Sequence, residues 1–240
     1  MEISRPERVG GVGLYQVNVR RLTAEFVGTA LLVTIVVGSG IAAQRLSTDL
    51  GIQLLENSIA TGAGLVALIL AFGSVSGARF NPVVTLVALV DGDLLTREAV
   101  GEMITQCLGG VVGCIVANLM FDLPAVTWST HSRSSAGMWF AETIATFGLL
   151  TVILGVTRSR RADMAAFAVG SYIAAAYWFT SSTSFANPAV TIARMFTNTF
   201  AGIEPRSTPA FIVAQFVGGA AAIALDRTLH PRATRDGHSS

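Results

Sequence analysis

Two Asn-Pro pairs, Asn81-Pro82 and Asn187-Pro188, sit inside apolar stretches in opposite halves of this chain. They open closely related runs, Asn-Pro-Val-Val-Thr and Asn-Pro-Ala-Val-Thr. Asn at an N-cap followed by Pro at the first helical position is a strong helix start. Within hydrocarbon such a break is tolerated only where it is packed in protein or lines a wet cavity. One break per half therefore predicts two half-helices whose tips meet near the membrane midplane, an arrangement that makes a pore or a binding site.

The membrane setting follows from composition. Of 240 residues, 52% are hydrophobic and 13% charged, against about 25% charged residues in a soluble domain. A net charge of +1 with so little surface charge argues against a nucleic-acid partner and leaves membrane lipid as the expected surroundings. Residues 1–21 are polar and rich in Arg, without the apolar core of a cleavable signal. Cys107 and Cys114 lie seven apart in one apolar segment, about 10 Å along a helix axis, which is too far for a disulfide. Neither a metal-ligand cluster nor a cofactor motif is evident, so no cofactor is expected.

Six stretches approach the ~20 residues needed to cross a bilayer core: 22–43, 57–75, 99–120, 138–157, 164–181 and 209–226. Two more, 81–90 and 187–196, are too short to cross, and both contain an Asn-Pro pair at or near their start. With the N-terminus inside, the inner segments hold eleven arginines: Arg5, Arg8, Arg20, Arg21, Arg97, Arg158, Arg160, Arg161, Arg227, Arg232 and Arg235. The outer loops hold three, Arg45, Arg133 and Arg206. This bias places both termini on the cytoplasmic side of a cell membrane.

The halves are related. Ala24, Glu25, Thr29, Leu32 and Thr34 match Ala141, Glu142, Thr146, Leu149 and Thr151 at an offset of 117, and the Asn-Pro runs match at 106. An offset that changes only by loop length marks an internal duplication. Three spans per half is an odd number, so the second half enters the membrane upside down, as an inverted repeat with its site between the halves. The expected organisation is a single channel domain over 1–240, with repeats near 22–120 and 138–226 and tails at 1–20 and 228–240.

If Asn81 and Asn187 cap their half-helices, each side-chain oxygen is used locally and each amide NH₂ is left to donate to pore contents. Facing half-helix N-termini put positive dipole ends at the midplane, which repel cations. Glu25 and Glu142 are intramembrane carboxylates, ordinarily a flag for ion or proton sites. Their matched positions favour a structural role, accepting bonds from the irregular backbone that precedes each half-helix. The glycines Gly109, Gly110, Gly113, Gly218 and Gly219 are explained by close helix packing.

The run Ser76-Gly77-Ala78-Arg79-Phe80-Asn81-Pro82-Val83-Val84-Thr85, the second Asn187-Pro188-Ala189, and the opening Ala24-Glu25-Phe26-Val27-Gly28-Thr29 resemble the aquaporin (major intrinsic protein) family. The resemblance covers roughly residues 20–226. It implies an all-α membrane protein of six transmembrane helices and two re-entrant half-helices, assembled as a homotetramer of independent pores. By the same resemblance, Asn81, Pro82, Val83, Asn187, Pro188 and Ala189 form the paired pore motifs. Selectivity-filter positions carried over by spacing fall on Thr61, Ala175, Ser184 and Val190. The family usually has His at Arg79, Ala at Val83 and, most tellingly, Arg at Val190. That small, uncharged set predicts a filter wider and less polar than a water-only channel has.

Arg194 lies one turn beyond Val190. It is either a displaced vestibule cation or an Arg snorkelling outward to a loop carboxylate or headgroup. Arg79 faces the inner mouth, as a fixed vestibule charge or as the partner of lipid phosphates or nearby carboxylates. The run Thr180-Ser181-Ser182-Thr183-Ser184-Phe185-Ala186 together with Val190 is similar to bacterial aquaglyceroporin-like channels associated with arsenic resistance. That similarity implies passage of water, glycerol-sized polyols and neutral metalloid hydroxides such as arsenite.

Three alternatives compete with a passive channel for small neutral solutes. A water-selective aquaporin differs at Val190. An ion-coupled secondary transporter shares inverted repeats and broken helices. An intramembrane enzyme lacks any Ser/His pair, metal cluster or carboxylate dyad within a span; His131, His230 and His238 all fall in loops or the tail.

Overall fold

The computed structural model describes residues 13–231, with side chains from residue 19 onward. Arg5, Arg8, Arg232 and Arg235, which contribute to the charge bias, and His238 lie outside the described residues. Eight α-helices are present among them: α1 (Gly13–Leu46), α2 (Leu50–Ser76), α3 (Pro82–Asp91), α4 (Thr96–Met120), α5 (Ala136–Arg158), α6 (Ala165–Phe179), α7 (Pro188–Ala193) and α8 (Thr208–Leu229). Five of these (α1, α2, α4, α5 and α8) are long and apolar enough to cross a membrane. The expected span at 164–181 is a 15-residue helix, α6, preceded by a 3₁₀ turn at Ala162–Met164. The half-helix expected at 187–196 is six residues of α-helix extended by a 3₁₀ turn, Arg194–Phe196.

Packing repeats the duplication seen in the sequence. Helix α1 packs on α2 and α4, α5 packs on α6 and α8, and α2 meets α6 between the halves. The short helices interlock them: α3 touches α8 as well as α4, and α7 touches α4 as well as α8. Glycine permits the closest approaches. A β-carbon on Gly109 would collide with the Phe26 carbonyl, and one on Gly218 with the Thr143 carbonyl, the position 117 residues after Phe26. In lipid, association rests on such tight backbone contact, because apolar burial from lipid supplies little drive.

Each half-helix is entered through strained backbone. Ala78 and Phe80 have φ of 49° and 50°, and Ser184 and Ala186, each 106 positions later, have 49° and 48°. Non-glycine residues in this left-handed region cost about 1–2 kcal/mol each, so something must hold them. The holders are Glu25 and Glu142. Glu25 accepts the Arg79 and Phe80 N–H groups at 3.1 and 2.7 Å, the Ser76 hydroxyl at 2.6 Å and the Gln106 amide at 2.7 Å. Glu142 accepts the Phe185 and Ala186 N–H groups at 2.8 and 2.9 Å and the Gln215 amide at 2.8 Å. Gln106 and Gln215 then bond the Thr85 and Thr191 hydroxyls of the half-helices. Both carboxylates are fully buried, and their bonds run to the backbone that enters each half-helix and to the glutamines beside it.

Candidate pore and its constrictions

Asn81 and Asn187 cap α3 and α7 as their sequence context predicts. The Asn81 oxygen accepts from Val83 N–H at 2.9 Å, and the Asn187 oxygen from Ala189 and Val190 N–H at 2.9 and 3.3 Å. Pro82 and Pro188 occupy the first helical positions. The amide nitrogens differ from expectation. Asn81 donates to the Ala186 carbonyl at 2.8 Å, and Asn187 donates to the Phe80 carbonyl at 2.7 Å. Each amide therefore spends one N–H on tying its half to the other, and its second N–H has no partner among the described residues. The left-handed turns cause this, because they aim the carbonyls before each Asn at the opposing tip.

A cavity of about 130 Å³ runs alongside the joined tips, lined by both asparagines. That is room for several waters on the scale of ~10–15 Å³ per water centre. Along α2 its wall runs from Thr61 to Leu65, Ile69 and Gly77, a rise of about 24 Å over sixteen residues. Along α6 the wall is Ala165, Val169, Ile173 and Tyr177. Val36, Leu149, Ile153 and Val190 add apolar surface. Ala189, Pro188, Pro82 and Val83 are buried within the half-helix packing and do not line the cavity.

At the end away from Arg79 the cavity is lined by Thr61, Tyr177, Ser184, Val190 and Arg194. Thr61 and Tyr177 hydroxyls are 3.1 Å apart and hydrogen-bonded. The Ser184 hydroxyl is buried and has no partner among the described residues. Three of the four positions expected to form a filter, Thr61, Ser184 and Val190, thus line the same cavity. Ala175 does not: it is exposed on the far side of α6. Cavity-facing residues on α6 recur every four positions, and Ala175 is two away from both Ile173 and Tyr177, more than half a turn round. Tyr177 takes the place that counting back from Asn187 assigns to Ala175. The left-handed residues Thr183, Ser184 and Ala186 shape the intervening loop, and that geometry is not visible as residue spacing.

Arg194 is 1% exposed, so the outward-snorkelling alternative is overturned. Its Nε donates to the Ala201 carbonyl, and its guanidinium carbon sits 3.4 Å from the Phe185 ring centroid. No carboxylate pairs with it among the described residues, and its terminal nitrogens are left to the cavity it lines. At the opposite end Arg79 forms a bidentate pair with Glu102, both bonds 2.8 Å, and Arg21 shares the same carboxylate at 3.0 Å. Of the two readings of Arg79, the carboxylate partner is present, while Arg79 also lines the cavity. Glu102, buried at 1% exposure, escaped the sequence reading; a lone acid within an apolar span was the available signal.

The comparisons with known proteins agree with this geometry. Residues 15–184 match the family described as Major intrinsic protein. The chain is 49% identical over 210 residues to Aquaglyceroporin AqpS of Rhizobium meliloti, covering 88% of this chain and 90% of that protein. It is 30% identical over 168 residues to Glycerol uptake facilitator protein-like 6 of Lactiplantibacillus plantarum, covering 65% of this chain and 72% of that protein. Among solved structures, the aquaglyceroporin from Plasmodium falciparum superposes with a TM-score of 0.72 at 21% identity, covering 89% of this chain and 98% of that one. This last likeness supports the fold. The arrangement of helices, paired asparagine tips and adjoining cavity is that of a passive membrane channel, and the chain belongs to the major intrinsic protein (aquaporin) family.

Proposed function

We propose that the cavity lined by Asn81 and Asn187 is the path by which water, glycerol-sized polyols and undissociated arsenite cross the membrane. The observation that carries this reading is the mixed wall at the outer constriction. Val190 and its apolar neighbours line the same cavity as donors and acceptors from Thr61, Tyr177, Ser184 and Arg194. A polyol has a carbon edge and a hydroxyl edge, and such a wall matches both while replacing the hydrogen bonds lost on leaving water. Undissociated arsenite is likewise small, neutral and polyhydroxylated. Cations meet the free asparagine donors and the unpaired Arg194, and they lose hydration without recompense; the same electrostatic argument applies to aquaporin-type pores in general.

The names of the relatives, an aquaglyceroporin and a glycerol uptake facilitator-like protein, support a polyol as one solute. The arginine bias supports cytoplasmic termini in a bacterial inner membrane. The family likeness supports a homotetramer with one pore per chain.

The test is purified protein in liposomes, with water, glycerol and arsenite permeabilities measured side by side. All three are expected above protein-free vesicles, without dependence on an ion gradient. Water alone crossing would overturn the reading.

A further inference from the structure

We infer that Arg133, in the segment between α4 and α5, is a positioning residue for the outer constriction and acts on Arg194 through Phe185. This rests on the reading of the cavity as the solute path. Arg133 does not line the cavity, yet it touches the segments that build it. Its Nε donates to the Gly202 carbonyl at 3.0 Å, beyond Arg194, and its Nη1 to the Ser182 carbonyl at 3.2 Å, two residues before Ser184. Its own N–H is held by the Ser207 hydroxyl at 3.0 Å. One planar fork thus joins the strands of chain on both sides of α7.

The contact with Phe185 links this fork to the constriction. The Arg133 guanidinium carbon is 4.9 Å from the Phe185 ring centroid, and Arg194 stands over the same ring at 3.4 Å. Phe185 cannot drift freely: its N–H is held by Glu142, and its ring meets Phe211 edge-on at 5.3 Å and 73°. Neither guanidinium has a carboxylate within ion-pair distance among the described residues, so the ring is a principal electrostatic partner of both. By holding the ring and the segments on both sides of α7, the Arg133 fork fixes where Arg194 rests beside the cavity.

The segment carrying Arg133 is firmly sewn to the outer loop. Thr127 and Ser129 N–H groups bond the Phe196 and Met195 carbonyls at 3.1 and 2.9 Å, and Glu204 N–H bonds the His131 carbonyl at 2.8 Å. Removing the Arg133 side chain therefore removes the fork and the ring contact and leaves these backbone anchors in place.

A double-mutant cycle on solute selectivity tests the coupling. Glycerol and water permeabilities are measured in liposomes for the wild type, Arg133→Gln, Arg194→Gln and the double variant. Arg133→Gln is expected to shift the glycerol-to-water ratio by about threefold or more, and to add less than about 1.5-fold once Arg194 is neutral. Arg133→Lys keeps the charge but not the planar fork, and it is expected to behave like Arg133→Gln. An unchanged ratio in Arg133→Gln, or shifts that multiply in the double variant, would overturn the inference. If Arg133→Gln does not yield folded protein, Phe185→Leu replaces it in the same cycle with the same criteria. Ile173→Trp, which fills the cavity wall, separates the two readings. If it blocks flux while Arg133→Gln is silent, this inference alone falls. If it leaves flux intact, the pore reading falls and takes this one with it.

Discussion

Asn187 donates its amide to the carbonyl of Phe80 at 2.7 Å, one residue before Asn81, while Asn81 returns the bond to Ala186 at 2.8 Å. The two half-helix tips are therefore fixed to one another by reciprocal bonds between the two halves of the chain. Replacing Asn81 with Ala removes both an N-cap and one of these ties. The cap alone is worth about 0.5–2 kcal/mol. Asn81→Ala is expected to lower the unfolding temperature in detergent and to reduce glycerol flux at matched protein content. Asn187→Ala is expected to do the same.

Glu142→Gln offers a sharper contrast. The amide keeps the shape but has a single acceptor oxygen, whereas Glu142 uses one oxygen for Phe185 N–H and the other for Ala186 N–H and Gln215. A buried donor left unpaired costs about 1–3 kcal/mol. Thermal unfolding of Glu142→Gln, and of Glu25→Gln in the matched site, is expected to show a loss of that size; wild-type stability would contradict the supporting role.

At Val190 the expected change is in selectivity. Val190→Arg would place a second guanidinium one turn before Arg194, narrowing the constriction. Glycerol permeability is expected to fall by about fivefold or more, equivalent to about 1 kcal/mol of barrier, with water flux reduced less. Equal loss of both, measured by vesicle light scattering, would contradict the assignment of Val190 to the constriction.

The loop between α4 and α5 carries a modest pH dependence. Burial and, after it, the neighbouring Arg133 lower the His131 pKa from its ordinary 6.5. The unfolded chain then binds the proton more readily than the folded one, so stability is full above 6.5 and declines as pH falls through that value. His131 is largely exposed, so the effect is small. His131→Asn is expected to flatten the unfolding profile between neutral and mildly acid pH, and an unaltered slope would show that the dependence lies elsewhere.

What the sequence reveals is uneven for physical reasons. Asn81-Pro82 and Asn187-Pro188 are local signals: capping is decided within four residues, so the half-helix starts were legible. Glu25 and Glu142 were legible because charge in hydrocarbon demands partners. Tyr177 was not, because its direction depends on the loop 180–186, whose left-handed residues set the phase between α6 and Asn187. Arg133 read as an ordinary outer-loop charge, since its contacts with Ser182, Gly202 and Phe185 lie 49 or more positions away. Arg194 follows Val190 by one turn in the sequence, but its burial depends on Phe185 and Ala201, which only the folded chain brings near it.

Passage of solutes beside Val190, at the end of the cavity away from Arg79, is open to direct test. Glycerol uptake into liposomes bearing Val190→Trp, at protein content equal to wild type and with folding verified by unfolding temperature, addresses it most directly. Flux falling to that of protein-free vesicles is the expected result. Flux equal to wild type would mean that the permeant takes another route.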